Sequence, residues 1–130
     1  MLDSAPELIR VRRDVRGAAV VLHVSGELDQ QTSAVLEGHL RQAEDLVEPP
    51  GPVVVDLGGV TFFGSSGLSL MLTHHLRCAG RGTCLRLVAG HRAVLRPIEV
   101  TDLGSVLTVL PSVERALEIP RQRVDEAPGP

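Results

Sequence analysis

The chain is predicted to form a single α/β domain, with a mixed, mostly parallel sheet of about five strands packed with about four helices. Three observations predict it. Runs of β-branched residues alternate with segments of helical apolar spacing, in the order β-β-α-β-α-β-α-β-α. Alternation of this kind implies right-handed crossovers between parallel strands, and an opening strand pair adds one antiparallel member. At 130 residues, 43% of them hydrophobic, the chain is long enough for one core and short for two.

Each element has its own local warrant. Leu8 to Val11 reads as a first, edge strand, Arg16-Gly17 as a turn, and Ala18 to Ser25 as the second strand of a hairpin. Gly26-Glu27-Leu28-Asp29 is expected to break that strand. Asp29 or Thr32 can cap a helix in which Leu36, Leu40, Ala43 and Val47 recur on one side, with Glu37, Arg41 and Glu44 on the other. Pro49-Pro50-Gly51-Pro52 ends it. Val53-Val54-Val55 is a strand buried on both faces, followed by turn chemistry from Asp56 to Thr61 around Gly58-Gly59. Phe62-Phe63 then leads back to the core. A second helix is expected over Ser66 to Ala79, with Ser65 as its N-cap and Leu68, Leu72, Leu76 and Ala79 as its inner stripe. Ser65, Ser69, Thr73 and Arg77 form a polar stripe along it. Gly80-Arg81-Gly82 stops it. Cys84 to Val88 is a strand. Ala93 to Val100 is a short helix that Pro97 is expected to kink or truncate. Leu103 to Leu110 contains the last strand. Ser112 caps a closing helix through Val113, Ala116 and Leu117. The domain spans 7–120, between an N-terminal tail at 1–6 and a polar, disordered tail at 121–130.

Composition excludes several classes of function. The net charge is −3, and all 13 basic residues are arginines without a basic block, so nucleic-acid binding has no electrostatic support. Arg10, Arg12, Arg13 and Arg16 interrupt any apolar run near the start, which argues against a signal peptide. No stretch approaches the roughly 20 apolar residues of a membrane span. A cytoplasmic protein is expected, with Cys78 and Cys84 as reduced thiols.

Enzymatic motifs are incomplete. Gly64-Ser65-Ser66-Gly67 resembles a hydrolase nucleophile elbow, but Leu68 stands where its last glycine belongs. A phosphate-binding loop needs a lysine, and the chain has none. His74, Cys78 and Cys84 could supply three metal ligands, or the two cysteines a disulfide; ordinary thiols and a surface histidine are the simpler expectation. His23 has no acid–base partner near it in sequence. His39, His75 and His91 read as solvated. Asp56 is expected to hydrogen-bond the turn at Gly58-Gly59. No enzyme activity, cofactor or metal is expected. A serine at a strand-to-helix junction, however, faces solvent beside N–H groups that favour an added anion, which suits a phosphorylation switch at Ser65.

Two segments together resemble one family. GELDQQTSAVLEGHL, from Gly26 to Leu40, is similar to the G-E-L-D…T…L…L segment of STAS domains. VVVDLGGVTFFGSSGLSLML, from Val53 to Leu72, is similar to their D-L-x-x-V-x-F-x-D-S-S-G-L segment. The resemblance extends from about Ile9 to Ile119 in element order, and the chain looks like a stand-alone bacterial anti-sigma factor antagonist. It implies a partner anti-sigma factor that is also a serine kinase of the ATP-binding GHKL fold, and a serine phosphatase. It implies phosphorylation at Ser65, which ends binding. The partner surface would comprise Glu27, Asp29 and Thr32, with Gly64, Ser65, Ser66, Gly67, Ser69 and Thr73. One departure stands out: the family's Asp before the phosphoserine is Gly64 here. The competing expectation is a STAS protein that binds a nucleotide or other small ligand, or serves in a larger signalling or lipid-transport assembly.

Overall fold

The computed structural model describes residues 8–118. The tails expected at 1–6 and 121–130, and the domain bounds at 7 and 120, lie outside the described residues. The strands are β1 (Ile9–Arg16), β2 (Ala19–Leu28), β3 (Pro52–Phe63), β4 (Cys84–Val88) and β5 (Thr108–Leu110). The helices are α1 (Ser33–Leu46), α2 (Ser65–Gly80), α3 (Arg92–Val100) and α4 (Val113–Glu118), with a 3-10 turn at Leu103–Ser105. The order along the chain is the expected one.

The sheet order is β1-β2-β3-β4-β5, with β1 antiparallel to β2 and every later pair parallel. Strands added always on the same side through right-handed crossovers put every crossover helix on one face. Hence α1, α2 and α3 share a face, where Leu36, Leu40, Met71, Val94 and Ile98 pack on Leu22, Val24, Val55 and Leu57. The alternate strand positions Val21, Val54 and Val88 face the other way, against Ala116 of α4. Arg86, 1% exposed, donates from Nη1 to the Ala116 carbonyl and so holds the last turn of α4, where the helix dipole favours a cation. Ser112 caps α4 as expected, its Oγ accepting from the Arg115 N–H at 3.1 Å.

Both central strands run further than local turn chemistry suggested. β2 continues through Gly26 to Leu28, and β3 through Gly58-Gly59 to Phe63. The two extensions pair with each other, Ser25 with Gly59, Glu27 with Phe62 and Leu28 with Phe63, and two register shifts absorb the glycines. Glycine is required at position 26. Its φ is +101, and a Cβ there would lie 2.2 Å from the Leu8 carbonyl oxygen. Gly26→Ala is expected to lower the unfolding free energy by about 2 kcal/mol, read by urea denaturation.

The helices also differ from their apolar patterns. α2 buries Gly67, Leu68, Leu70, Met71, His74 and Cys78, whereas Leu76 is 63% exposed and Ala79 is exposed. Gly67 sets this rotation, because a Cβ there would meet Leu28 Cγ and Phe63 Cε1 at 2.9 Å. The side chains at helical spacing below it, Met71, His74 and Cys78, follow it inward. On α1, Glu44 lies inside rather than on the polar side. α3 runs through Pro97 to Val100 instead of stopping at it. Among the described residues no helix is long and apolar enough to cross a membrane.

Candidate functional site

The Ser65 hydroxyl is presented by the junction of β3 and α2. The helix N-cap is Gly64, one residue before the expected Ser65, so Ser65 is the first helical residue and is exposed. The Gly64 N–H donates to the Leu28 carbonyl at 3.0 Å, which ties the start of α2 to the end of β2. Gly64 has no side chain to cap the helix, and neither α2 nor α1 has an acidic residue in its first turn. The orphan N–H groups and positive dipole end of α2 therefore meet solvent beside Ser65.

Ser65, Ser66, Ser69 and Thr73 line one groove of about 450 Å³ together with Ser33, Ala34 and Glu37 of α1. Sequence reasoning found the α2 wall and missed the α1 wall. Ser33 and Glu37 are four residues apart and so share a helix face, which was the available signal.

The other expected partner residues divide into surface and scaffold. Glu27 is exposed and stands in register with Phe62. Asp29 Oδ1 accepts from the N–H groups of Gln31 at 2.9 Å and Thr32 at 3.1 Å. Thr32 is 5% exposed; its hydroxyl donates to the Glu27 carbonyl at 2.7 Å and accepts from the Asp29 N–H at 3.0 Å. Thr32 holds the position of α1 N-cap, and its side chain makes no capping bond there. Thr32 and Gly67 thus shape the rim from within, one by hydrogen bonds and the other by close approach.

Beneath the groove lies a buried ionic cluster that the sequence pattern did not reveal. His74 and Glu44, 0% and 3% exposed, are joined through His74 Nδ1 and Glu44 Oε2. Arg77 Nε donates to Glu44 Oε1 at 3.0 Å. His74 Nε2 makes no hydrogen bond and lies 3.6 Å from Glu37 Oε2 of the groove wall. The surface histidine considered as a metal ligand is therefore an interior residue. Among the described residues no group of three His, Cys, Asp or Glu side chains could hold a metal, and Cys78 and Cys84 are buried and form no disulfide.

Burial, with the Glu44 carboxylate beside it, pushes the Cys78 thiol from 9.0 up to about 12. A thiol whose folded pKa lies above its unfolded one contributes stability below about pH 9 that is lost as pH rises toward 12. The chain has no lysine or tyrosine to mask this titration. The urea midpoint is expected to fall as pH rises from 9.0 toward about 12, and to fall less in Cys78→Ala. Equal slopes for the two proteins would refute the assignment.

Two histidines have partners that sequence distance hid. His23 Nδ1 lies 2.9 Å from Asp56 Oδ2, because the β2–β3 register pairs those residues. Asp56 Oδ1 also accepts from the Gly58 N–H at 2.9 Å, as expected. His91 Nε2 lies 2.7 Å from the Val60 carbonyl oxygen.

The family described as "Mlab, STAS domain" matches residues 11–111. The chain belongs to the STAS domain family. The anti-sigma-F factor antagonist RsfA of Mycobacterium tuberculosis is 35% identical to this STAS chain over 100 residues, 77% of this chain and 78% of that protein. The crystal structure of an anti-sigma factor antagonist from Mycobacterium paratuberculosis superposes with a TM-score of 0.78 at 32% identity. It covers 88% of this chain and 95% of its own. An anti-sigma-factor antagonist STAS domain protein from Planctomyces limnophilus shares the fold, with a TM-score of 0.69 at 21% identity over 82% of this chain and 93% of its own.

Proposed function

We propose that this STAS domain is an anti-sigma factor antagonist: it binds an anti-sigma factor of serine-kinase type, and phosphorylation of Ser65 switches that binding off. The observation that carries the reading is the exposed hydroxyl of Ser65 on the first turn of α2, within the motif shared with the family. The names of RsfA and of the Mycobacterium paratuberculosis structure support the choice of partner.

The physics of the site fits a switch without a fold change. Phosphate adds about −1.5 to −2 charges at pH 7. At Ser65 it would sit on a helix N-terminus that favours an anion, so the domain itself tolerates it. A partner closing over the groove would have to desolvate that charge beside Glu37. The surface offered to the partner is Glu27, Asp29, Gly64, Ser65, Ser66, Ser69 and Thr73, with Thr32 and Gly67 supporting it from behind. A cognate phosphatase would restore binding.

The test is incubation of the chain with ATP and each GHKL-fold anti-sigma factor of the source genome, followed by intact mass and peptide mapping. Binding by the unmodified chain, one phosphate on Ser65, and release on its addition are expected. Binding that is indifferent to phosphate on Ser65 would sink the switch.

A further inference from the structure

Phe62 and Phe63 are the only aromatic residues of the chain, and they part company at the end of β3. Phe63 is 3% exposed in the core, while Phe62 is 53% exposed. The Phe62 ring lies against Gly64: a Cβ at that position would meet Phe62 Cε2 at 3.0 Å and Cζ at 3.4 Å. Gly64 is not there for backbone reasons, since its φ of −89 and ψ of −176 are open to any residue. What glycine supplies is room for the ring. Phe62 stands beside Glu27 in the β2–β3 register, and the Glu27 N–H donates to the carbonyl of Leu8, itself 42% exposed. Leu8, just before β1, Glu27 of β2 and Phe62 of β3 thus form a row next to the Gly64-Ser65 junction. The Glu27 side chain is exposed.

We propose that Phe62 is the aromatic anchor of the partner contact around Ser65, and that Gly64, in place of the family's Asp, is what seats it. This rests on the reading that the partner is an anti-sigma factor. The ring enters an apolar pocket on that factor, and a basic group at the rim of the pocket pairs with Glu27. Half-exposed aromatic side chains beside a polar rim are where binding energy concentrates. A second copy of this chain fits the row less well, because it brings its own net charge of −3 to a surface that already carries Glu27. An Asp at position 64 would push the ring aside by a few tenths of an ångström and add charge beside it. The glycine therefore selects a partner that takes an aromatic at this point. A phosphate three residues away obstructs the same contact.

The experiment measures affinity for each anti-sigma factor of the source genome by calorimetry, with thermal midpoints as the folding control. Phe62→Ala is expected to weaken binding roughly 30-fold with an unchanged midpoint. Phe62→Leu should weaken it less, and Gly64→Asp should weaken it by displacing the ring. Wild-type affinity in Phe62→Ala, or a binding loss that only tracks unfolding, overturns the anchor and leaves the partner assignment standing. A wild-type chain that binds none of these factors overturns both. A dimer dispersed by Phe62→Ala, with anti-sigma binding unchanged, gives the row to a second copy and also overturns it.

Discussion

Ser65→Asp is expected to lower affinity for the proposed anti-sigma factor partner by ~100-fold, while Ser65→Ala should bind as wild type. The asymmetry follows from where the residue sits. As the first residue of α2, Ser65 is exposed, and alanine is a good helix former at such a position. Aspartate there is favoured by the helix dipole, so the thermal midpoint of Ser65→Asp should equal or slightly exceed that of wild type. The loss is therefore confined to the interface, where the carboxylate must be desolvated in a groove already walled by Glu37. Aspartate carries one charge and phosphate nearly two, so the phosphorylated chain should bind more weakly still. Calorimetry of the three proteins decides the point. Equal affinity for wild type and Ser65→Asp would remove charge at this position as the switch.

Glu44→Ala is expected to cost about 3–5 kcal/mol of unfolding free energy, the largest stability effect of any single polar change here. Four side chains contact this carboxylate: His74, Arg77, Cys78 and Arg81. Arg77, 34% exposed, can turn to solvent when it is lost; His74, at 0%, cannot. His74 Nε2 already lacks a hydrogen bond, so removing Glu44 leaves the ring with no hydrogen bond at either nitrogen. The effect lies in the loss of one partner rather than in any intrinsic strength of the pair. Replacing both residues, Glu44→Leu with His74→Leu, should recover most of the stability, because apolar side chains of similar volume are near neutral in such a place. Urea denaturation of the two single variants and the double variant measures the coupling. A Glu44→Ala loss below about 1 kcal/mol, the scale of a surface substitution, would contradict the burial of this cluster.

The polar stripe of α2 was legible because it depends on local spacing: Ser65, Ser69 and Thr73 all reach the groove. The inner stripe was not. Leu72 and Leu76 are more apolar than His74, yet His74 is inside and Leu76 outside. The rotation of α2 was decided by the one residue small enough to let it approach Leu28 and Phe63, namely Gly67. His74 could follow it inward only because Glu44, thirty positions earlier, is carried to the same place by α1. Neither residue alone predicts its own burial.

The same division holds for the whole chain. Strand and helix order, the crossover sense, the two family segments and the exposed start of α2 were determined by the sequence itself, because periodicity, turn chemistry and capping act over a few residues. The passage of β3 straight through Gly58-Gly59, the turning of Phe62 outward beside Gly64, and the His23–Asp56 and Glu44–His74 pairs were decided only by tertiary structure. A strand is completed by its neighbour's hydrogen bonds, and an ionisable side chain is buried only where a distant segment supplies its partner.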